Sequence, residues 1–427
     1  MTSTDTHRAI EAVWRIESPR LIAGLSRYVQ DVGVAEELAQ DALVAALEQW
    51  PVAGVPANPG AWLMSTAKHR AIDLIRRSAN LERKYELLGR ELETSQPLAD
   101  PDLEAVLEDD VGDDLLRLVF ISCHPVLSTE ARVALTLRLL GGLTTDEIAR
   151  AYLVPEATVA QRIVRAKRTL RDAHVAFELP SPTERAGRVS SVLEVIYLVF
   201  NEGYSATAGE DWMRPRLCED ALRLGRILAE LTPKEPEVHG LVALMEIQAS
   251  RTRARTDRSG APILLLDQDR ARWDQLLIHR GLRALEKADA LGDSPGPYAL
   301  QAAIAACHAR AHTPELTDWA RIAALYSDLV GLVRSPVVEL NRAVAVGMAY
   351  GPAAGLDIVD AIAGERSLAG YHLLPSVRGD LLDKLGHFEE AAAEFERAAS
   401  LTRNTRERAL LLARAVACTN ALVTPVG

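Results

Sequence analysis

The chain has 427 residues, 48 Lys and Arg against 59 Asp and Glu for a formal net charge of −11, and a hydrophobic fraction of 48%. That length suits two or three domains, and the composition is that of ordinary globular chains rather than disordered, collagenous or disulfide-rich ones. The negative balance excludes a protein that holds nucleic acid by bulk electrostatics alone. Aromatic residues are scarce at 5%, while Ala and Leu dominate, so helix is favoured over strand. Met1 to His7 is polar, which predicts no secretory signal, and no apolar run is long enough to cross a bilayer. Cys123, Cys218, Cys307 and Cys418 are widely spaced and form no C-x-x-C pair. A disulfide framework, a structural metal and a membrane partner are therefore not expected, and the expected compartment is the cytoplasm.

Residues 8–92 read as a helical domain whose later part gathers Lys68, Arg70, Arg76, Arg77, Arg83, Lys84 and Arg90. From 93 to 114 follows an acidic connector with Glu93, Asp100, Asp102, Glu104, Glu108, Asp109, Asp110, Asp113 and Asp114 and no Lys or Arg. Like charges in such a run favour an extended, solvated segment. Two readings stay open, a plain linker or a segment that mimics or repels nucleic acid.

Residues 115–178 form a second helical block holding a helix-turn-helix at about 143–172. Thr144 and Glu147 have the spacing of a capping box. Leu153 and Val154 make the turn, and Pro155 suits the start of a new helix, where its missing N–H is no loss. In that second helix Val159, Ile163, Ala166 and Leu170 recur as one inward stripe. The other side carries Glu156, Thr158, Gln161, Arg162, Arg165, Lys167, Arg168 and Arg171. A recognition helix needs this layout, because its N-terminal half enters the major groove while later cations meet phosphates. Arg162 and Arg165 suit bidentate contacts to guanine and Gln161 suits adenine. Lys167, Arg168 and Arg171 suit phosphates.

Pro180-Ser-Pro182 marks a break before a third domain at 185–424 with weak internal repetition. Its clearest unit is Leu385 to Ala398, where Gly386, Phe388, Ala391, Phe395 and Ala398 fall at tetratricopeptide-repeat positions. Gly351 precedes Gly386 by 35 positions, close to that repeat's period of about 34. Ala221 to Pro233 and Gly281 to Leu291 read as second helices of two more degenerate units. The predicted fold is all-α throughout: two small helical domains, an acidic linker, and a tetratricopeptide-like solenoid.

Glu130 to Leu143, then Asp146-Glu-Ile-Ala, Ala157-Thr-Val and Arg165-Ala-Lys-Arg-Thr-Leu-Arg171, resemble region four of the extracytoplasmic-function sigma factors. Ala35-Glu-Glu-Leu-Ala-Gln-Asp-Ala-Leu43, Pro59-Gly-Ala-Trp-Leu63 and Arg70 to Arg77 resemble region two of the same family. Together these motifs cover about the first 180 residues. The resemblance implies a sigma subunit that brings core RNA polymerase to promoter DNA and supports strand opening, region two serving the −10 element and region four the −35 element. It also departs from the family, which usually carries Asn where His69 stands. Tyr197-Leu-Val-Phe-Asn-Glu-Gly-Tyr204, Leu266 to Asp274 and Gly296 to Ala306 resemble the subgroup with a tetratricopeptide-like C-terminal extension. In that subgroup the extension is implied to regulate activity in place of a dedicated anti-sigma factor.

On that footing Leu63, Ala67, Ala71 and Leu74 pack inward, leaving Lys68, His69, Arg70, Arg76 and Arg77 toward DNA. Asn58 suits a base edge. Trp62 either stacks an unpaired base or packs in the core, and Asp73 pairs with a neighbouring Arg. Glu36, Glu37 and Asp41 offer polymerase an acidic face. Asn201, Glu202, Tyr204, Asp267, Asp269 and Arg270 either cap helices or bind the sigma regions or a small ligand. Structural contacts are favoured, with the extension packed against the sigma domains at an interdomain contact; otherwise the repeats take a protein partner. No catalytic motif and no cofactor fingerprint is present, so no enzyme is expected; Cys123-His124 is adjacent but lacks further ligands. The alternative is a polymerase-independent helix-turn-helix regulator with a repeat-type sensor domain.

Overall fold

Ala-rich, Leu-rich segments bounded by Pro, Asp and Gly give a chain of helices, seen in a computed structural model that describes residues 3–89, 111–152, 154–206, 208–210 and 212–423. Most of the acidic connector (93–110), together with Arg90 and Leu153, lies outside the described residues, as do the side chains of Arg77, Arg83 and Lys84. The first three helices are α1 (Ser3–Val29), α2 (Val32–Ala53) and α3 (Pro59–Gly89). Asp31 caps α2, accepting from the amides of Gly33 at 2.7 Å and Val34 at 3.1 Å, which satisfies two of the donors that a helix start leaves open. Leu21, Ile22 and Leu25 of α1 meet an alanine-rich face of α2 (Ala35, Ala39, Ala42, Ala46) and Leu63, Ala67 and Ala71 of α3, all buried. Alanines let the helix axes close in, while each buried Leu contributes about 1.5–3 kcal/mol.

The next helices are α4 (Val111–Ser122), α5 (Thr129–Leu139), α6 (Thr145–Tyr152) and α7 (Glu156–Asp172). Asp113 and Asp114, read as the end of the connector, sit in the first turn of α4. Asp114 is buried there, 2.5 Å from Arg117 and 3.8 Å from Arg27. Then comes α8 (Pro182–Tyr204). The chain forms two compact units, Met1–Ile196 and Tyr197–Gly427, so the division falls inside α8 and not near 185. The early turns of α8 are tied to the first unit: Arg132 donates to Ser191 at 2.6 Å and pairs with Glu194 at 3.0 Å, and Ser191 donates to the Cys123 carbonyl at 2.7 Å.

The second unit continues with α9 (Pro215–Leu231), α10 (Pro236–Ser250), three short 3-10 turns between Thr252 and Arg272, α11 (Gln275–Leu291), α12 (Pro297–Arg310) and α13 (Trp319–Leu332). It ends with α14 (Pro336–Tyr350), α15 (Pro352–Ile362), α16 (Leu373–Lys384), α17 (Phe388–Leu401) and α18 (Thr405–Val423). Helix α10 is buried on nearly every side, packed by α9, α11 and α12, as an all-round apolar helix must be. The all-α expectation holds; the one strand pairing described joins Ala208–Gly209 to Arg403–Asn404 over two residues.

The repeat reading is borne out at the C-terminal end, where α14–α15 and α16–α17 are consecutive hairpins. Their turns are Gly351 at φ +105° and Gly386 at φ +82°, conformations that a Cβ disfavours. A Cβ on Gly386 would meet nothing within 4 Å, so Gly386→Ala isolates the backbone effect. It should destabilise the chain by about 1–2 kcal/mol in urea unfolding. Gly187, inside α8 and also with open space around it, should respond with the opposite sign: Gly187→Ala stabilises by about 0.5–1 kcal/mol. Equal responses at the two sites would contradict this account.

Candidate nucleic-acid interface

The capping box closes as its spacing requires. The Thr144 amide donates to Glu147 at 2.8 Å and the Glu147 amide donates to the Thr144 hydroxyl at 3.1 Å, fixing the start of α6. Pro155 caps α7, at φ −58° and ψ 140°. Val159, Ile163, Ala166 and Leu170 are the buried residues of α7. Glu156, Gln161, Arg165, Arg168 and Arg171 are exposed, and Thr158, Arg162 and Lys167 half-buried. Arg168 pairs at 3.3 Å with Asp172 on its own helix. Arg162 and Arg165 make no ion pair among the described residues, so the N-terminal half of α7 presents two uncommitted guanidinium groups.

The later cations are committed. Lys167 forms an ion pair with Glu36 of α2, and Arg171 lies 2.7 Å from Asp31 at the cap of α2. Arg138 of α5 adds a second cation to Glu36 at 2.6 Å, and Arg15 of α1 reaches Glu147 of α6 at 2.9 Å. A Cβ on Gly33 would come within 2.9 Å of the capping Asp31 carboxylate but only touch Arg171 and Lys167 at 3.5 Å, so the glycine makes room for the cap. Glu36 is only 3% exposed. Burial pushes its carboxyl upward, but Lys167 and Arg138 outweigh that and hold it below the ordinary glutamate value. Asp31 is likewise held low, because Arg171 and the two cap amides outweigh its burial.

Glu36 therefore does not belong to the acidic face predicted for it. Neighbouring helical residues point about 100° apart, so Glu36 turns inward while Glu37 and Asp41, one turn apart, remain exposed together. Val44 and Leu47 extend that face with exposed apolar surface, and Asp41 pairs with Arg70 of α3 at 3.2 Å.

On α3 the inward stripe ends at Ala71, because Leu74 is 44% exposed rather than packed. Ile75 beside it is exposed as well. His69, Asp73 and Arg76 are exposed; Lys68 and Arg70 are half-buried. Asn58 caps α3, its Oδ1 accepting from the Ala61 amide at 3.1 Å, which leaves its NH2 group for other partners. Trp62 is half-buried and meets the buried Trp50 edge-on, with 5.4 Å between ring centroids. The two readings of Trp62 merge: one edge packs, and part of the ring stays open.

The polar motifs of the second unit serve that unit. Arg270 is buried and donates to the carbonyls of His308 at 2.8 Å and Ala311 at 2.6 Å, and to the Thr317 hydroxyl at 3.0 Å. Asp269 caps a 3-10 turn, Glu202 pairs with Arg214, and Tyr204 lies under the Arg255 guanidinium at 3.5 Å. Asn201 and Asp267 are exposed. Cys123 is buried, with its Sγ 3.3 Å from the Thr136 hydroxyl, and burial pushes its thiol up, away from reactivity. Among the described residues no group of three His, Cys, Asp or Glu side chains could hold a metal, and no helix is long and apolar enough to cross a membrane.

A helical body followed by a capped helix-turn-helix with a basic reading face is the arrangement of a sigma-70-type transcription initiation factor. Family models agree: residues 14–80 match Sigma-70 region 2, residues 117–170 match Sigma-70, region 4, and residues 188–289 match a family of unknown function (DUF6596). The chain belongs to the extracytoplasmic-function sigma-70 family, with a C-terminal extension. It is 45% identical over 399 residues to the uncharacterized protein R00370 of Rhizobium meliloti, covering 92% of each chain. It is 27% identical over 172 residues to the probable ECF RNA polymerase sigma factor SigI of Mycobacterium tuberculosis, covering 40% of this chain and 57% of that one. With the ECF RNA polymerase sigma factor SigK of Mycobacterium ulcerans the identity is 29% over 160 residues, 36% of this chain and 79% of that one.

Proposed function

We propose that this sigma factor directs core RNA polymerase to specific promoters and supports strand opening, with its C-terminal helical unit modulating that activity in the cytoplasm. The observation that supports this most is the outward side of α7, where exposed Arg165 and half-buried Arg162 stand outside any ion pair among the described residues. Glu156, Thr158, Gln161, Arg162 and Arg165 read the −35 element, and Lys167, Arg168 and Arg171 meet its phosphates. Asn58, Trp62, Lys68, His69, Arg70, Arg76 and Arg77 serve the −10 element. Glu37 and Asp41, with Val44 and Leu47, face polymerase. The net charge of −11 agrees with a subunit that supplies specificity while the enzyme supplies most of the affinity for DNA.

Promoter elements centred at −10 and −35 lie about 85 Å apart along B-DNA, at 3.4 Å per base pair. Helices in direct ion-pair contact cannot grip both. The Asp31–Arg171 and Glu36–Lys167 pairs therefore define a closed state that opens for promoter binding, releasing two phosphate-contacting cations as it does so.

Trp62 supplies the test of strand opening. With core polymerase and a promoter selected from a random library, Trp62→Ala should weaken the open complex by about 1–3 kcal/mol, the worth of one base–aromatic stack. Closed-complex binding should change little. Permanganate reactivity of unpaired thymines reads the difference, and full reactivity in the variant would return Trp62 to a packing role.

A further inference from the structure

Two of the C-terminal segments that stand out in the sequence, and the residue just before the third, line one cavity of about 260 Å³ inside the second unit. Tyr197 to Tyr204 forms one wall, Leu265 just before Asp267 another, and Gln301 to Ala305 on α12 a third. The volume lies just below the roughly 300–1,000 Å³ of pockets for drug-sized ligands, which is metabolite size.

The polar lining of this cavity is unfinished. Arg251 is 8% exposed and lines it, and its Nε is buried without a hydrogen-bond partner among the described residues. The guanidinium lies over the ring faces of Tyr204 and Trp273, each 5.7 Å from centroid. A buried N–H without an acceptor is unfavourable. His308, 8% exposed, has an unpartnered Nδ1, and Gln248 an unpartnered Oε1. Burial, with Arg251 and Arg270 nearby, pushes His308 down to about 3, so it stays neutral at pH 7. Tyr326 is pushed up to about 12 by burial and keeps its proton. No Asp or Glu lines the cavity, so Arg251 is the single formal charge in its wall.

We propose that this cavity binds a small organic carboxylate. The carboxylate pairs with Arg251 and accepts from His308 Nδ1, a hydroxyl on the ligand donates to Gln248 Oε1, and a flat body lies among Tyr197, Phe200 and Ile304. The aromatic and aliphatic wall favours an organic acid over inorganic phosphate, which would leave that wall uncovered. The inference concerns the second unit alone and does not rest on the promoter reading.

Calorimetric titration of the full chain tests it with benzoate, 4-hydroxybenzoate and phenylacetate as probes, and with 4-hydroxybenzamide and inorganic phosphate as counter-probes. The expected result is saturable one-to-one binding of at least one carboxylate, at least tenfold weaker for the amide and absent for phosphate. A rise in the melting temperature with that carboxylate should accompany it, because a ligand bound only by the folded state stabilises it. Arg251→Met keeps the apolar stem against Tyr204 and Trp273 and should lose at least tenfold in affinity. Ala305→Leu fills the cavity with the charge intact and should abolish binding, so the proposal stays testable if the arginine variant folds poorly. No saturable binding of any carboxylate at millimolar concentration overturns it, and a cavity holding only water is then the reading. Equal binding of acid and amide, or undiminished binding in Ala305→Leu, overturns it as well.

Discussion

Arg165→Ala and Arg162→Ala should each weaken promoter binding by the polymerase holoenzyme by about 1–3 kcal/mol, the discrimination that one bidentate arginine–guanine contact provides. The loss should be sequence-selective, with preference relaxed at one position of the −35 element while other positions keep theirs. Both residues sit on the exposed side of α7, opposite the buried Val159, Ile163, Ala166 and Leu170, so the change should leave folding intact. Arg168→Ala, altering an exposed side chain further along, should weaken all sequences alike and reduce the salt slope by about one. Binding isotherms on a promoter and on single-position variants, at two salt concentrations, separate these outcomes. Uniform loss in Arg165→Ala would move that residue from base reading to phosphate contact.

The second large effect is expected at Glu36. Its carboxylate is buried between Lys167 and Arg138 and also accepts from Gln40 at 2.6 Å. Removing one partner from a buried charge cluster is destabilising by about 3–5 kcal/mol, so Glu36→Ala should shift the closed state toward the open one by more than a hundredfold. Fluorescent labels on exposed positions of α2 and α7 should move apart in this variant, and a cycle with Lys167→Ala should show non-additivity. Transcription with core polymerase should survive. An unchanged label distance together with weaker core-polymerase binding would put Glu36 back on the polymerase face. The pH dependence follows from the same pairs. Glu36 and Asp31 are both held below their ordinary values, so their stabilisation is present above the unfolded pKa, near 4, and lost as pH falls through the lower folded values. At neutral pH both pairs therefore hold the free chain closed, and acid should loosen it in the absence of promoter and polymerase.

What was legible in the sequence was what a single helix decides for itself. The α7 stripe, the Thr144–Glu147 box and the turn glycines Gly351 and Gly386 depend on local spacing and backbone conformation, and each appears as read. Glu36 was misplaced because the sequence of α2 does not say that a second module packs against it. The one available signal was geometric, since Glu36 and Glu37 cannot share a face. Leu74 was misplaced for the converse reason: an apolar residue at the right spacing is buried only where a partner reaches. The boundary near Pro180-Ser-Pro182 reads well as a helix start, but four later residues, Arg188, Ser191, Glu194 and Ile196, still belong to the first unit. Arg251 has no sequence signature, being a lone arginine at the end of an apolar helix. Its significance comes from Tyr204, Trp273 and His308, which tertiary packing brings around it from three other segments.

On the function proposed above, this chain reads promoters as a subunit of RNA polymerase and not by itself. The most direct measurement compares the purified full chain, core polymerase and the two combined on one selected promoter, scoring occupancy and strand opening together. Neither component alone should open the DNA, and the chain alone should bind it weakly; combined, they should open it at the −10 element and start transcription downstream of it. Equal DNA affinity with and without polymerase, and no opening in either case, would contradict the claim and leave a polymerase-independent regulator in its place.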